Sequence, residues 1–290
     1  MTSAAQAPTT FANPEVLRFY EELPFNYHGS AAAQANMIRA SDSVAAYPAL
    51  LPLLRPGLEV LEVGCGAGWL SLGLQIHHRC SVRAIDFNPV VIQRARELSR
   101  LLKQDVRFDV ADLFLYRPPV PAELTISLGV LHHTDNCLLA LERLCREFTR
   151  PGGHVFIGLY HRHGRAPFLA HFEAMKRQGA SEAAMFAEYR RLHSSLIDET
   201  FAESWFRDQV LHPHETQHTL TEVAEVFEAC GVELLSTSIN DFMAIGQGRA
   251  PFETETRLEK TAEAALAAGE YYPGFFLALG RRGEGPGGTR

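Results

Sequence analysis

The 290-residue chain has no apolar run approaching the ~20 residues of a membrane span, and Met1 to Thr10 lacks a basic segment followed by an apolar one. Neither a spanning helix nor an export leader is expected, which points to a cytoplasmic protein without a membrane partner. Positive charge is also scarce: 27 basic residues against 34 acidic ones leave a formal net charge of -7. Such a chain lacks the summed positive field that phosphate backbones require, so nucleic acid is a disfavoured partner. Cysteine is sparse. Cys65, Cys80, Cys137, Cys145 and Cys230 include no CxxC pair, and reduced thiols are the simplest account. No internal repeat is evident. What is abundant is apolar side chain: 46% of residues are hydrophobic, enough for the core of one enlarged domain or of a domain carrying an insertion.

Against that background the segment from Leu58 to Leu70 is the most informative. An apolar strand runs into Gly64, Gly66 and Gly68, an apolar helix follows, and an acid, Asp86, ends the next strand. Closely spaced glycines let the backbone turn sharply and approach a ligand without Cβ interference, while the following helix presents free N–H groups. These features predict an adenosine-bearing cofactor. A dinucleotide fingerprint wants its third glycine where Trp69 stands, and an indole there would obstruct close packing or a pyrophosphate, which disfavours NAD. Glu62, two residues before the first glycine, puts an anion beside the loop and suits a ligand carrying an ammonium and a sulfonium. S-adenosylmethionine is the cofactor this pattern selects.

Strand and helix alternate after Asp42. Short apolar runs between turn signals predict strands at 59–63, 81–86, 106–110, 124–128 and 154–159. Asn88 with Pro89 reads as a cap and first-turn proline, Asp135 as the cap of the helix through Leu138 and Leu141, and Pro151 to Gly153 as the turn before strand five. The apolar stretch from Val44 to Leu54 reads as largely helical despite Pro48 and Pro52. Thr219 to Glu222 forms a capping box ahead of a helix, and strands at 232–239 and 275–279 flank a further helix around 254–268, consistent with an antiparallel hairpin at a sheet edge. The fold class is therefore α/β: a doubly wound, mostly parallel seven-stranded sheet with helices on both faces and a helical insertion after strand five. Residues 1–41 form an N-terminal segment and possible lid, 42–160 and 219–282 the core, 161–218 the insertion over the acceptor, and 283–290 a disordered tail.

Five segments in order carry a resemblance to the class I S-adenosylmethionine-dependent methyltransferases: Glu62 to Gly68, Ala84 to Pro89, Asp109 to Asp112, Leu128 to His133, and Pro151 to Gly153. The resemblance is strong over 42–160 and weak over 219–282. It implies that Asp86 accepts hydrogen bonds from the ribose hydroxyls, and that Asp112 receives the adenine amino group between Ala111 and Leu113. It also implies that Glu62 organises the loop and the methionine amino group. Gly64, Cys65, Gly66 and Gly129 complete the cofactor contacts, with Phe87 packing on adenine or ribose. Cys65 reads as a small spacer whose backbone matters more than its sulfur.

Methyl transfer from a sulfonium is an in-line displacement in which positioning supplies much of the acceleration. A hydroxyl acceptor also needs a base, and His133, with His132 as second choice, follows the strand whose end faces the methyl group. Tyr160, His161, His163 and Arg165 follow strand five and are candidates for acceptor contact, the arginine through a carboxylate or phosphate. Tyr27, in an aromatic segment before the core, could pack near the sulfonium through a cation-π contact. His214, Glu215 and His218 admit a metal reading, but a solvated and partly structural histidine set is preferred and no metal is expected. Trp205 and Phe206 read as anchors of the insertion. The expected function is methyl transfer from S-adenosylmethionine to an oxygen or nitrogen of a small-molecule acceptor. The alternatives are an RNA or protein methyltransferase, or a cofactor-binding protein without transfer activity.

Overall fold

Short, β-branched and aliphatic runs build the sheet first. The computed structural model describes residues 13–26, 30–196, 198–246 and 250–284. Its strands are β1 (Glu59–Val63), β2 (Ser81–Asp86), β3 (Arg107–Val110), β4 (Ala122–Leu128), β5 (Thr149–Tyr160), β6 (Val232–Thr237) and β7 (Phe275–Arg282). They form one seven-stranded sheet in the order β3-β2-β1-β4-β5-β7-β6. The first five pair in parallel, whereas β7 runs antiparallel to both β5 and β6 and enters between them. Strand order reverses between β1 and β4, and in such sheets the crevice for a ligand opens there, at the strands' carboxyl ends.

The helices are α1 (Pro14–Glu22), α2 (Ala31–Ala40), α3 (Trp69–His78), α4 (Pro89–Leu102), α5 (Cys137–Arg143), α6 (Arg162–Arg177), α7 (Glu182–Leu192), α8 (Glu199–Phe206), α9 (Leu220–Ala229), α10 (Pro251–Thr254) and α11 (Leu258–Ala268). Alternate strand residues point to opposite faces, so Val60 and Val82 join the apolar layer under α2, α3 and α4, while Leu61 and Ile85 join the layer under α5 and α9. A third cluster, with Phe168, Tyr189 and Phe206 among its members, holds α6, α7 and α8 together. Among the described residues no helix is long and apolar enough to cross a membrane.

Local signals act largely where the sequence places them. The Asn88 side chain accepts from the Val90 N–H at 2.8 Å with Pro89 in the first turn of α4, and Thr219 and Glu222 form a reciprocal capping box on α9. Three details differ. Asn136, not Asp135, caps α5 by accepting from the Leu139 N–H at 3.0 Å, which leaves the Asp135 carboxylate to accept from Asn13 at 2.7 Å. Pro48 and Pro52 lack the N–H a continuous helix needs, so the stretch after Asp42 makes only two 3₁₀ turns, Ser43–Ala46 and Leu51–Leu53. Pro151 to Gly153 lie inside β5 as an irregularity, with Gly152 at φ +74 and the register shifting between Ala122 and Leu124, because glycine absorbs extra residues without ending a strand.

Candidate active site

A cavity of about 260 Å³ opens at the carboxyl ends of β1, β2, β3 and β4. Its floor is the glycine loop. Gly64, Gly66 and Gly68 all have positive φ, at +75°, +51° and +81°. A Cβ on Gly64 would come within 2.2 Å of Val130 and one on Gly68 within 2.7 Å of Phe108, whereas Gly66 faces open space. Two glycines thus permit packing and the third leaves room for a ligand. The loop is tied to β2: the Gly64 and Cys65 N–H groups donate to the Ile85 carbonyl, and the Gly66 N–H donates to Asp86 Oδ2 at 2.9 Å. Burial holds the Cys65 thiol well above its usual range, so it is inert.

Two carboxyls, Glu62 buried and Asp86 half-buried, line this floor without a cationic partner among the described residues. Glu62 accepts from the Ser71 hydroxyl, and burial pushes its carboxyl up to about 8 despite that bond. Asp86 accepts from the Gly66 and Asn88 N–H groups, and burial pushes it to about 6 while those bonds pull it back. Phe87, Ala111, Asp112, Leu113 and Gly129 line the same cavity, the aspartate fixed at the end of β3 by accepting from the Phe114 N–H at 2.8 Å. Gly129 has φ +73, and a Cβ there would meet nothing. All the sequence-selected cofactor contacts therefore converge except Tyr27, which lies outside the described residues.

The histidine pair separates. Both members sit in the buried 3₁₀ turn Leu131–His133, but only His133 lines the cavity. His133 Nδ1 lies 3.0 Å from the His214 carbonyl, which can only accept a hydrogen bond, so Nδ1 carries the proton and donates. Its Nε2 is thereby left with the lone pair, 3.8 Å from Asp208 Oδ1. His132 points behind the wall, its ring 4.3 Å from that of Tyr160, and burial holds it neutral, well below the usual imidazole range.

None of the four residues selected for acceptor contact reaches the cavity wall. The chain turns into α6 immediately after β5, and the helix aims successive side chains in different directions. The Tyr160 hydroxyl lies 3.5 Å from Asp208 Oδ2, behind the wall. Arg165 is 0% exposed, paired with Glu215 at 2.9 and 3.1 Å and packed 4.0 Å over the Tyr160 ring. His161 is buried against Glu255 at 3.1 Å, and His163 faces Glu259 at 3.7 Å. The histidine-rich stretch likewise disperses: His214 Nε2 lies 3.0 Å from the Thr134 carbonyl, and His218 Nε2 lies 3.0 Å from the Thr216 hydroxyl. Among the described residues no three His, Cys, Asp or Glu side chains converge as metal ligands.

The N-terminal segment read as a possible lid supplies a helix, α1, that the sequence analysis did not name. Asn13, Val16 and Tyr20 of the α1 region, with Phe25 after it, line the mouth. Asn13 reaches Asp135, Asn88 donates to the Tyr20 carbonyl at 3.1 Å, and the Tyr20 hydroxyl donates to Asp208 Oδ1 at 2.5 Å. Glu22 adds an ion pair with Arg207 at 2.8 Å, and Phe25 packs 5.0 Å from Trp205. Trp205 thus holds the N-terminal segment, while Phe206 belongs to the α6–α8 cluster. The available signal was Asp208 itself, one acid among Trp205, Phe206, Val210 and Leu211.

Comparison with known proteins agrees with this geometry. The profile of the family described as "Methyltransferase domain" matches residues 54–225. A ubiquinone biosynthesis O-methyltransferase of Xylella fastidiosa (strain 9a5c) is 32% identical over 116 residues, 39% of this chain and 46% of the relative. Its counterpart in Xanthomonas campestris pv. campestris (strain B100) is 33% identical over 136 residues, 44% and 52%. The chain spans about half the length of the curated relatives it matches. Among solved structures, PKMT2 from Rickettsia typhi in complex with AdoHcy superposes with a TM-score of 0.55 at 16% identity, covering 83% of this chain and 53% of that one. Magnesium protoporphyrin IX methyltransferase from Synechocystis PCC 6803 with bound SAH gives 0.50 at 16% identity, covering 91% of both. The structural likenesses bear on the fold alone, but the family profile covers more than half of the chain. The protein belongs to the class I S-adenosylmethionine-dependent methyltransferases.

Proposed function

We propose that the protein transfers a methyl group from S-adenosylmethionine to a hydroxyl oxygen of a small, uncharged or cationic acceptor. The observation that carries this reading is His133 at the cavity wall with Nδ1 committed to the His214 carbonyl and a buried Nε2 left without a hydrogen-bond partner. The cofactor fits the residues present: open space beside Gly66 admits it, and the buried Glu62 and half-buried Asp86 carboxyls gain from its ammonium and hydroxyl donors. Glu62 would hold the amino group, Asp86 the ribose hydroxyls and Asp112 the adenine amino group, with Phe87, Ala111 and Leu113 beside the ring. When bound, the cofactor supplies an electrophilic methyl group on a sulfonium. The chain's own part is to position the acceptor beneath α1, exclude water and take the hydroxyl proton at His133 Nε2.

The wall favours an acceptor without negative charge. Glu62, Asp86, Asp112 and Asp135 line the cavity, and among the described residues no lysine or arginine does. Carboxylate, phosphate and nucleic-acid acceptors would find no cationic partner there, while Val16, Phe25 and Val130 suit an apolar or aromatic body. The relatives' name, O-methyltransferase, supports oxygen as the atom modified. The test is transfer of label from methyl-tritiated S-adenosylmethionine to a panel of phenols, aliphatic alcohols, amines, carboxylic acids and bulk RNA. Labelling of hydroxyl compounds is expected. Labelling confined to RNA, or to carboxylates, would sink the reading.

A further inference from the structure

Three imidazoles stand in a row beside the cavity. The His132 and His133 ring centroids are 4.3 Å apart, and those of His133 and His212 are 3.8 Å apart. Two positive charges that close repel strongly away from bulk water, so at most one ring of the stack is charged at a time. Nothing in the ring chemistry says which. The surroundings do: His132 Nδ1 accepts from the Tyr160 N–H, His212 Nδ1 accepts from the His214 N–H, and only His133 faces a carboxylate.

We propose that Asp208, brought to the site by the turn after α8, is the positioning residue that directs the acceptor's proton to His133 Nε2 rather than to His132 or His212. This rests on the reading of His133 as the base. Burial of Asp208 is costly unless a cation is near, and Arg165, whose charge reaches it, is already paired with Glu215. Protonated His133 is the partner left, 3.8 Å from Oδ1. The carboxylate is held in place from three elements. The Tyr20 hydroxyl of α1 donates to Oδ1, and the Tyr160 hydroxyl at the end of β5 lies 3.5 Å from Oδ2. Arg165 of α6 backs Tyr160 by lying over its ring. Those side chains, with Glu215, His132, His212, Tyr189 and Tyr271, are charged and titratable groups that face the Asp208–His133 pair. Burial and the neighbouring His133 keep His132 and His212 far below the usual imidazole range, in agreement with one charge per stack.

The geometry assigns a use to Tyr160 and Arg165 that needs no contact with acceptor: they hold the carboxylate that orients the base. The measurement is ring ¹⁵N NMR of the full chain labelled at histidine, titrated from pH 5 to 9, with His133→Gln used to assign the signal. Neutral His133 should be the Nδ1–H tautomer and should be the member of the stack that charges. Asp208→Asn, which keeps the Tyr20 contact, should lower the His133 midpoint by at least about one pH unit while His132 and His212 stay neutral. An unchanged midpoint in the folded variant, or a wild-type His133 protonated at Nε2 when neutral, overturns the proposal. If circular dichroism shows that Asp208→Asn does not fold, the wild-type spectrum decides alone: His132 or His212 charging before His133 is fatal. Calorimetric titration with S-adenosylmethionine separates the two readings. Retained binding with an unaltered His133 midpoint refutes the Asp208 pairing only, whereas a wild type that binds no cofactor refutes the proposed function beneath it.

Discussion

Glu62→Gln isolates the penalty stored in the glycine loop. In the ligand-free protein the Glu62 carboxyl is raised from an ordinary 4.5 to about 8, chiefly by burial, with the Ser71 hydroxyl offsetting part of the effect. A raised carboxyl means that the folded chain keeps a proton which the unfolded chain releases. Its contribution to stability is complete below pH 4.5 and disappears as pH rises through 8. At 1.36 kcal/mol per pH unit the difference is about 5 kcal/mol, an order-of-magnitude figure. Glutamine can still accept from Ser71 and has no charge to desolvate, while Asp86 is present in both proteins and cancels. Wild type should therefore lose about 4 kcal/mol of that relative to the variant between pH 5 and pH 9, the rest being lost already below pH 5. For 290 residues that is roughly 6 °C in Tm. Thermal melts of both ligand-free proteins across that range measure it. Stability curves that run parallel to within about 1 kcal/mol would refute the reasoning, because the carboxyl would then be hydrated rather than buried. The same substitution should weaken S-adenosylmethionine binding, so the loop gives up stability at high pH for a site that matches a cation.

Asp86→Ala should weaken S-adenosylmethionine binding about tenfold or more in calorimetric titration, through the loss of charge-assisted hydrogen bonds; unchanged affinity would overturn the proposed pose. Gly66→Ala and Gly68→Ala should part company. The first enters open space and should impair cofactor binding with about 1 kcal/mol of backbone strain, whereas the second drives a Cβ to 2.7 Å from Phe108 and should lower Tm markedly. Equal melting losses would contradict the division of labour in the loop. Thr219→Ala removes half of the α9 capping box and should cost about 1 kcal/mol by denaturant melts, with cofactor affinity unaltered.

The elements readable from the chain are those whose signals are local. A strand shows its apolar run, Asn88 with Pro89 shows a helix start, and Thr219 with Glu222 shows a capping box, because each rule operates within a turn or two of backbone. The glycine loop and Asp86 are legible for the same reason: Gly66 and Asp86 are 20 residues apart, yet adjacent parallel strands bring their ends together in a way the βα alternation already implies. The seven-stranded, mostly parallel sheet follows from that alternation too. Local reading fails where competing local options are close in energy, as between Asp135 and Asn136 for the cap of α5, or between a turn and a bulge at Gly152.

The sheet, the glycine loop and the acids around it are written in local residue patterns. The acceptor side of the cavity is set by packing between distant segments. There Tyr20 meets Asp208 across 188 residues, His133 meets the His214 carbonyl across 81, and Arg165 is withdrawn from the wall by Glu215, 50 residues away. No periodicity encodes such pairings. A buried charge or hydroxyl must find whichever partner the packing of distant helices delivers, and that choice is made by desolvation in the folded molecule, not by neighbours along the chain.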